Sequence, residues 1–282
     1  MKRILITGKN SYIGTSLEKW LGNYPDKYTT DCVSLRGDLW KGIDFSVYDV
    51  VFHAAGIAHI KETKENANLY YKVNRDLAYE VAQKAKKEGV KHFIFLSSMS
   101  VYGIESGIID KDSPLEPKSN YGKSKLQAEE LITGIQGDPF KVAILRPPMI
   151  YGKGCKGNYN RLANLAIKIP IFPDVDNKRS MIYIDNLSEF VRLIIDDSKS
   201  GLFYPQNKEY VCTSKMVEMI GELHGTNIRM TKLFNVFLKL FPINTVKKVF
   251  GDLVYDKKMN DYKNRYIVCD FETSIRLTEK CK

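Results

Sequence analysis

The sequence predicts an α/β fold, a doubly wound parallel sheet with a smaller C-terminal lobe. Three observations carry that expectation. Short apolar, β-rich runs alternate with stretches of helical periodicity through the first two-thirds of the chain, the rhythm of parallel strands joined by crossover helices. The first run leads into a glycine-containing turn, and a helical pattern follows it directly. From about Gly152 the pattern loses its regularity without a repeat, a low-complexity tract or a flexible linker. The expected division is therefore 1–152, with returning segments, for the sheet domain, and 153–282 mostly for a substrate-binding lobe.

Taken in order, the expected strands lie at 3–7, 29–35, 49–54, 92–97 and 141–146. Ile13, Leu17, Trp20 and Leu21 recur at helical spacing after the first. A second helical stripe runs through Leu69, Val73, Leu77, Val81 and Ala85, and the C-terminal part holds a further helix at about 187–195. Gly37-Asp38-Leu39 follows the second strand almost at once, so the helix and strand that usually intervene there are cut short.

Composition excludes several classes. The 282 residues are 44% hydrophobic, ordinary for a chain with a sizeable core. No stretch approaches ~18 consecutive apolar residues, so no stable membrane insertion is expected. The apolar run after Met1-Lys2-Arg3 is only Ile4-Leu5-Ile6, a strand and not a leader peptide, and a cytoplasmic protein is expected. Five scattered cysteines form no close pairs, which argues against a disulfide framework or a metal site. The net charge of +10 is spread along the chain without a basic run or a nucleic-acid motif. It suits anionic small molecules and not nucleic acid.

The first strand runs into Thr7-Gly8-Lys9-Asn10-Ser11-Tyr12-Ile13-Gly14. A strand–turn–helix start aims backbone N–H groups and a helix N-terminus at a pyrophosphate, and small residues let the backbone approach it. Ser11 stands where the middle glycine of such a loop is usual, and its hydroxyl can itself donate to phosphate. The second strand ends at Ser34-Leu35-Arg36. An acid there holds a ribose 2′-hydroxyl, whereas arginine accommodates a 2′-phosphate, so NADP(H) is favoured and NAD(H) stays open. A surface arginine stacked on adenine is the other reading of Arg36. Asp38 and Leu39 follow as cofactor contacts, and Ala54-Ala55-Gly56 leave room beside the bridging phosphates.

Tyr121-Gly122-Lys123-Ser124-Lys125 opens a helical pattern, so Tyr121 and Lys125 share one face. A lysine ammonium favours a phenolate and lowers the tyrosine pKa toward the range of proton transfer. Alone, such a pair is equally a solvated surface contact. Upstream, however, Ser97-Ser98 end a strand at the sheet edge where α/β folds bind ligands, and Ser98 can hydrogen-bond the same substrate oxygen.

The glycine-type loop, DVVFHAAG, Asn74 in VNRDLA, SSMSVYG, YGKSK and LRPPMIYG arrive in one order. Together they resemble the extended short-chain dehydrogenase/reductase (NAD-dependent epimerase/dehydratase) family, whose sheet is of the Rossmann type. The resemblance implies an NAD(P)-dependent sugar-nucleotide oxidoreductase with Ser98, Tyr121 and Lys125 catalytic. Asn74, Tyr121, Lys125 and Pro147 join the cofactor contacts. It implies a UDP-sugar substrate held by Asn158 and Arg179, in segments similar to GNY and NKRSMIYI of sugar-nucleotide members, and a possible homodimer through a four-helix interface. Met149 departs from the asparagine often found there in epimerases.

Within the family, dehydratases need an Asp-Glu pair directly after the active-site hydroxyl residue, and Met99-Ser100 stand there instead. The closest resemblance is to bacterial UDP-sugar 4-ketoreductases of capsule and O-antigen synthesis. The expected reaction is reduction of a UDP-4-keto-6-deoxy-N-acetylhexosamine to UDP-N-acetyl-fucosamine or UDP-N-acetyl-quinovosamine. The alternative is a UDP-sugar 4-epimerase of the UDP-glucose or UDP-N-acetylglucosamine type with tightly held NAD. An NAD(P)-binding regulator without turnover is a third reading. His59, on the loop after the third strand, is a weaker substrate candidate. The apolar, lysine-bearing stretch 230–241 reads as a helix in the lobe, a subunit contact, or a segment lying on a membrane surface.

Overall fold

The computed structural model describes the chain except His59, Lys61, 236–243, 260–261 and 281–282, together with the side chains of Asn244 and Thr245. His59, Lys239 and most of the apolar core of 230–241 thus lie outside the described residues.

Six parallel strands form the central sheet. They are β1 (Lys2–Thr7), β2 (Tyr28–Val33), β3 (Val50–His53), β4 (His92–Leu96), β6 (Lys141–Leu145) and β10 (Gly201–Phe203), in the order β10-β6-β4-β3-β1-β2. Ile4-Leu5-Ile6, Val50-Val51-Phe52 and Phe93-Ile94-Phe95 are fully buried, as continuous apolar runs must be in a sheet covered on both faces. The chain moves outward from β1 to β2, then returns to place β3 on the other side of β1. The ends of β1 and β3 are therefore a topological switch point, where sheets of this kind leave a crevice.

The chain has two compact units. The first comprises Met1–Gly103, Leu115–Pro147 and Leu187–Pro205; the second comprises Ile104–Pro114, Pro148–Asn186 and Gln206–Lys282. The first contains the whole six-stranded sheet with helices α1 (Tyr12–Leu21), α3 (Leu77–Lys87) and α4 (Asn120–Gly134). The returning segment includes β10, a sixth strand too short to show a pattern of its own. Only a 3-10 turn, Leu39–Gly42, stands between β2 and β3. The crossover is indeed cut short, which leaves β2 at the sheet edge.

One helical stripe differs from its sequence pattern. Ala67–Tyr70 is α2, and Tyr71–Asp76 winds as a π-turn before α3 begins. A π-turn takes more residues per turn than an α-helix and rotates the face that follows. Leu69 is consequently exposed, and Asn74 points into the interior in the line of Ala78, Val81, Ala82 and Ala85.

The second unit contains α5 (Asn158–Ala166), α7 (Thr213–Leu223) and three two-stranded parallel pairs. These join β5 (Gly107–Ile109) with β12 (Leu253–Tyr255), β7 (Met149–Tyr151) with β9 (Met181–Tyr183), and β8 (Ile171–Pro173) with β11 (Arg229–Thr231). Between the units in sequence runs α6 (Ile184–Asp197), whose Leu187, Phe190, Val191, Ile194 and Ile195 are buried at helical spacing. Among the described residues no helix is long and apolar enough to cross a membrane, and no group of His, Cys, Asp and Glu could hold a metal ion.

Candidate active site

The turn after β1 is shaped by backbone contacts. Gly8 takes φ +92°, and a Cβ there would stand 3.0 Å from the Ala55 backbone, so the exits of β1 and β3 approach as only glycine allows. Asn10 is also left-handed, at φ 68°. Gly8 N and Lys9 N both donate to Val33 O at 2.9 Å, tying the turn to the end of β2. Tyr12, Ile13 and Gly14 open α1, and Ser11 caps it by accepting from Gly14 N at 3.1 Å. The sequence assigned Ser11 a phosphate contact; its oxygen first serves the helix. Arg36 is exposed, Asp38 pairs with Lys41 at 3.1 Å, and Leu39 is 91% exposed. An amide-lined glycine turn and a helix N-terminus fit the pyrophosphate of a dinucleotide.

Deeper in the crevice, Asn74 is fully buried and binds both backbone groups of Ile57, accepting from its N–H at 2.8 Å and donating to its oxygen at 3.0 Å. It also donates to Ser124 Oγ at 3.2 Å, so one amide fastens the loop after β3 to α4. A Cβ on Gly56 would stand 3.0 Å from Asn74 Oδ1 and 3.4 Å from Lys125 Nζ, which places all three predicted contacts together. His53, not singled out from the sequence, ends β3 fully buried beside Thr7 Oγ1 at 3.0 Å. Burial, aided by the Lys125 charge, pushes its pKa down to about 3, so it is neutral.

Ser98, Tyr121 and Lys125 converge. Ser98 leaves β4 and caps the turn Met99–Tyr102, accepting from Ser100 N at 3.1 Å, while Met99 N donates to Pro147 O at 2.9 Å. Ser98 Oγ donates to Ser100 Oγ at 3.1 Å and lies close enough to the Tyr121 phenol to oppose the rise in its pKa. Lys125, one turn further along α4, donates to Leu96 O at 2.8 Å and lies 4.7 Å from the Phe95 ring centre. Glu62, which the sequence did not reveal, accepts from the backbone of Asn120 and, at 3.1 Å, from that of Tyr121 itself.

The electrostatics correct one expectation. Lysine was expected to lower the Tyr121 pKa; instead burial raises it, the Ser98 hydroxyl opposes, and Tyr70 adds to the rise. Desolvation disfavours the phenolate, and the Lys125 ammonium is engaged with the Leu96 carbonyl. Burial likewise lowers Lys125 to about 8, with Glu129 opposing.

Behind these residues lies a buried ion pair unforeseen from sequence. Arg146 grips both oxygens of Glu129, with Nε at 3.0 and 3.1 Å, and donates to Tyr102 OH at 2.9 Å. Ser97 donates to the same carboxylate.

The two predicted substrate contacts belong to the second unit. Asn158 opens α5 after Gly157 and is exposed. Arg179 is half-buried, its backbone bridged to Val211 and Leu253, and its Nη1 donates to Gly251 O at 2.9 Å. Among the described residues no carboxylate forms an ion pair with it. Burial lowers its pKa, with the charges of Asp252 and Glu105 opposing.

A family model described as NAD dependent epimerase/dehydratase matches residues 4–211. A UDP-glucose 4-epimerase of Vibrio cholerae is 32% identical over 247 residues, 78% of this chain and 75% of the relative. An N-acetyl-alpha-D-glucosaminyl-diphospho-ditrans,octacis-undecaprenol 4-epimerase of Escherichia coli O157:H7 is 35% identical over 139 residues, spanning 48% of this chain and 42% of the relative. Among solved structures, UDP-glucuronic acid 4-epimerase from Bacillus cereus in complex with NAD superposes with a TM-score of 0.76 at 20% identity, over 99% of this chain and 97% of its own. A dTDP-4-dehydrorhamnose reductase from Clostridium acetobutylicum superposes with a TM-score of 0.74, also at 20% identity, over 99% and 98%. The superpositions show a shared Rossmann-type fold.

Proposed function

The chain belongs to the NAD-dependent epimerase/dehydratase family, and we propose that it inverts the C4 hydroxyl of a sugar carried on a nucleoside diphosphate, with UDP as the carrier. The observation that carries a redox reaction at a sugar carbinol is the grouping of Ser98, at the end of β4, with Tyr121, and of Lys125, one turn along the same helix and bonded to Leu96 O. The first unit is the nicotinamide domain in this reading, and the second provides Asn158 and Arg179 for the substrate's phosphates.

When bound, the nicotinamide supplies the hydride acceptor and donor. Tyr121 exchanges the proton of the sugar O4, and Ser98 orients that oxygen. With its pKa raised, Tyr121 is a neutral phenol at neutral pH, suited to protonate a 4-keto oxygen. Taking a proton from a 4-hydroxyl is helped by a nearby cation, and among the described residues Lys125 stands one turn along the same helix. Lys125 also holds the nicotinamide ribose, with Asn74 fixing the loop beside it. Met99 and Ser100 offer no carboxyl acid or base for a dehydration.

Sequence resemblance favoured a 4-ketoreductase. The 4-epimerase reading is preferred because a UDP-glucose 4-epimerase is 32% identical over most of the chain. The ketoreductase making UDP-N-acetyl-fucosamine or UDP-N-acetyl-quinovosamine is the second reading. The short connection after β2 and the exposed Arg36 favour it, because both suit an exchangeable NADPH.

One experiment separates the two. The enzyme is given UDP-glucose, UDP-N-acetylglucosamine, or a UDP-4-keto-6-deoxy-N-acetylhexosamine with NADPH and NADH in parallel. Conversion of the first pair without net cofactor consumption supports the epimerase; stoichiometric loss of reduced cofactor with the keto sugar replaces it by the reductase. Nicotinamide binding without turnover on any of them makes the protein a regulator. Replacing Tyr121→Phe lowers turnover by roughly 10²–10⁴-fold while cofactor binding, read by fluorescence titration, is retained. Turnover near the wild-type level in that variant removes Tyr121 from the chemistry.

A further inference from the structure

An apolar and basic face of the second unit has no part in the site described above. It is built where β8 pairs with β11, which sets Ile171 opposite Arg229. Ile167 and Ile171 are 40% and 46% exposed, and just beyond β11 Leu233 and Phe234 are 80% and 45% exposed. Lys168, Arg229 and Lys232 are interleaved with them, all exposed to some degree. Phe172, the next residue of β8, is buried and points to the other side of the pair, where the Phe250 ring centre lies 5.5 Å from its own.

The charge of this face is one-sided. Its described cations are Lys168, Arg229 and Lys232, with Asp174 as the acid beside them. Lys232 is 3.9 Å from Asp174; among the described residues Lys168 and Arg229 have no ion pair. Large aliphatic and aromatic side chains on a surface of unbalanced cations are the composition of an interfacial anchor. Leucine and phenylalanine gain by leaving water for the acyl boundary, while the cations gain from anionic headgroups. A soluble acidic protein would match the charge, but it would leave the exposed Leu233 without the apolar depth a bilayer surface offers.

We propose that this face, centred on Leu233, Phe234, Arg229 and Lys232, docks the protein reversibly on an anionic phospholipid surface. The docking is peripheral, by side chains, and does not depend on which reaction the active site performs.

The test is co-sedimentation of the full chain with phosphatidylcholine vesicles, with and without phosphatidylglycerol, over a range of salt. Binding is expected to phosphatidylglycerol vesicles and to weaken as salt rises. Arg229→Glu and Lys232→Glu should each weaken it by at least about fivefold, as a basic residue near an anionic surface contributes roughly that much. The double replacement Leu233→Asp with Phe234→Asp should abolish it. Circular dichroism and turnover of a soluble sugar nucleotide, both at the wild-type level, show that these variants are folded; loss of turnover in the wild type concerns the proposed reaction alone. Absence of wild-type binding, equal binding to neutral vesicles, or full binding by the double variant would overturn the proposal. So would a wild-type dimer, seen by light scattering, that the double variant breaks without any vesicle binding, since the face would then be a contact between two copies.

Discussion

Arg146, buried, and Arg179, half-buried, lie in different units of the chain, and their surroundings could hardly differ more. Arg146 is met on every side, by two carboxylate oxygens of Glu129 and the hydroxyl of Tyr102. Burial alone would lower its pKa, but the Glu129 bond and charge raise it well above the usual arginine value. Arg179 has the burial with one carbonyl, Gly251 O, as its side-chain partner, and its pKa is lowered. Residue type and burial therefore do not separate a structural cation from a binding one. The partner does, because a desolvated cation with no carboxylate bonded to it is stabilised by any anion that arrives.

The sharpest way to break this comparison is to remove the cations in turn. Arg146→Met leaves Glu129 buried and unpaired, and urea unfolding should show a loss of about 3–5 kcal/mol. Adding Glu129→Leu to that variant should recover most of it. Arg179→Met, by contrast, should leave the unfolding midpoint unchanged or higher. It should raise KM for the sugar nucleotide roughly tenfold to hundredfold, the worth of a charged hydrogen bond of about 1.5–3 kcal/mol. A stability loss in Arg179→Met comparable to that in Arg146→Met would make both arginines structural.

His53 extends the comparison to a group that burial keeps neutral. Its pKa is pushed down to about 3, whereas the unfolded chain takes up that proton near 6.5. Below 6.5 the unfolded state binds more protons, so stability falls with pH, at up to about 1.4 kcal/mol per unit. Between pH 6.5 and 5 this costs about 2 kcal/mol. His53→Leu should flatten that part of the curve in urea titrations at pH 7 and pH 5. The smallest effect is expected at Arg36, exposed and without a burial penalty: Arg36→Ala should weaken NADP(H) by about tenfold and NAD(H) hardly at all. Equal effects on both cofactors would leave Arg36 stacked on adenine and the 2′-phosphate reading abandoned.

The order of strands and helices, the crossover shortened at Gly37, and the convergence of Ser98, Tyr121 and Lys125 were legible because each is written locally. A parallel strand buried on both faces must be apolar throughout, and Tyr121 and Lys125, four apart on a helix, must share a face. Asn74 was legible as part of a motif but not as the buried clamp it is. Its stripe reads as a regular helix through Leu69 and Val73, and the π-turn that rotates it leaves no mark in periodicity. Glu62 was hidden for another reason: it caps α4 from 59 residues away in the chain.

By itself the sequence determined the fold class, the strand–turn–helix start at Gly8 and the shared helix face of Tyr121 and Lys125, since these depend on spacing within a few residues. The tertiary structure alone decided which charges meet. It brought Glu129 onto Arg146 and, among the described residues, no carboxylate into an ion pair with Arg179, and it turned the expected fall in the Tyr121 pKa into a rise. Desolvation and counter-charge are sums over everything packed around a group, and that packing draws on residues from the whole chain.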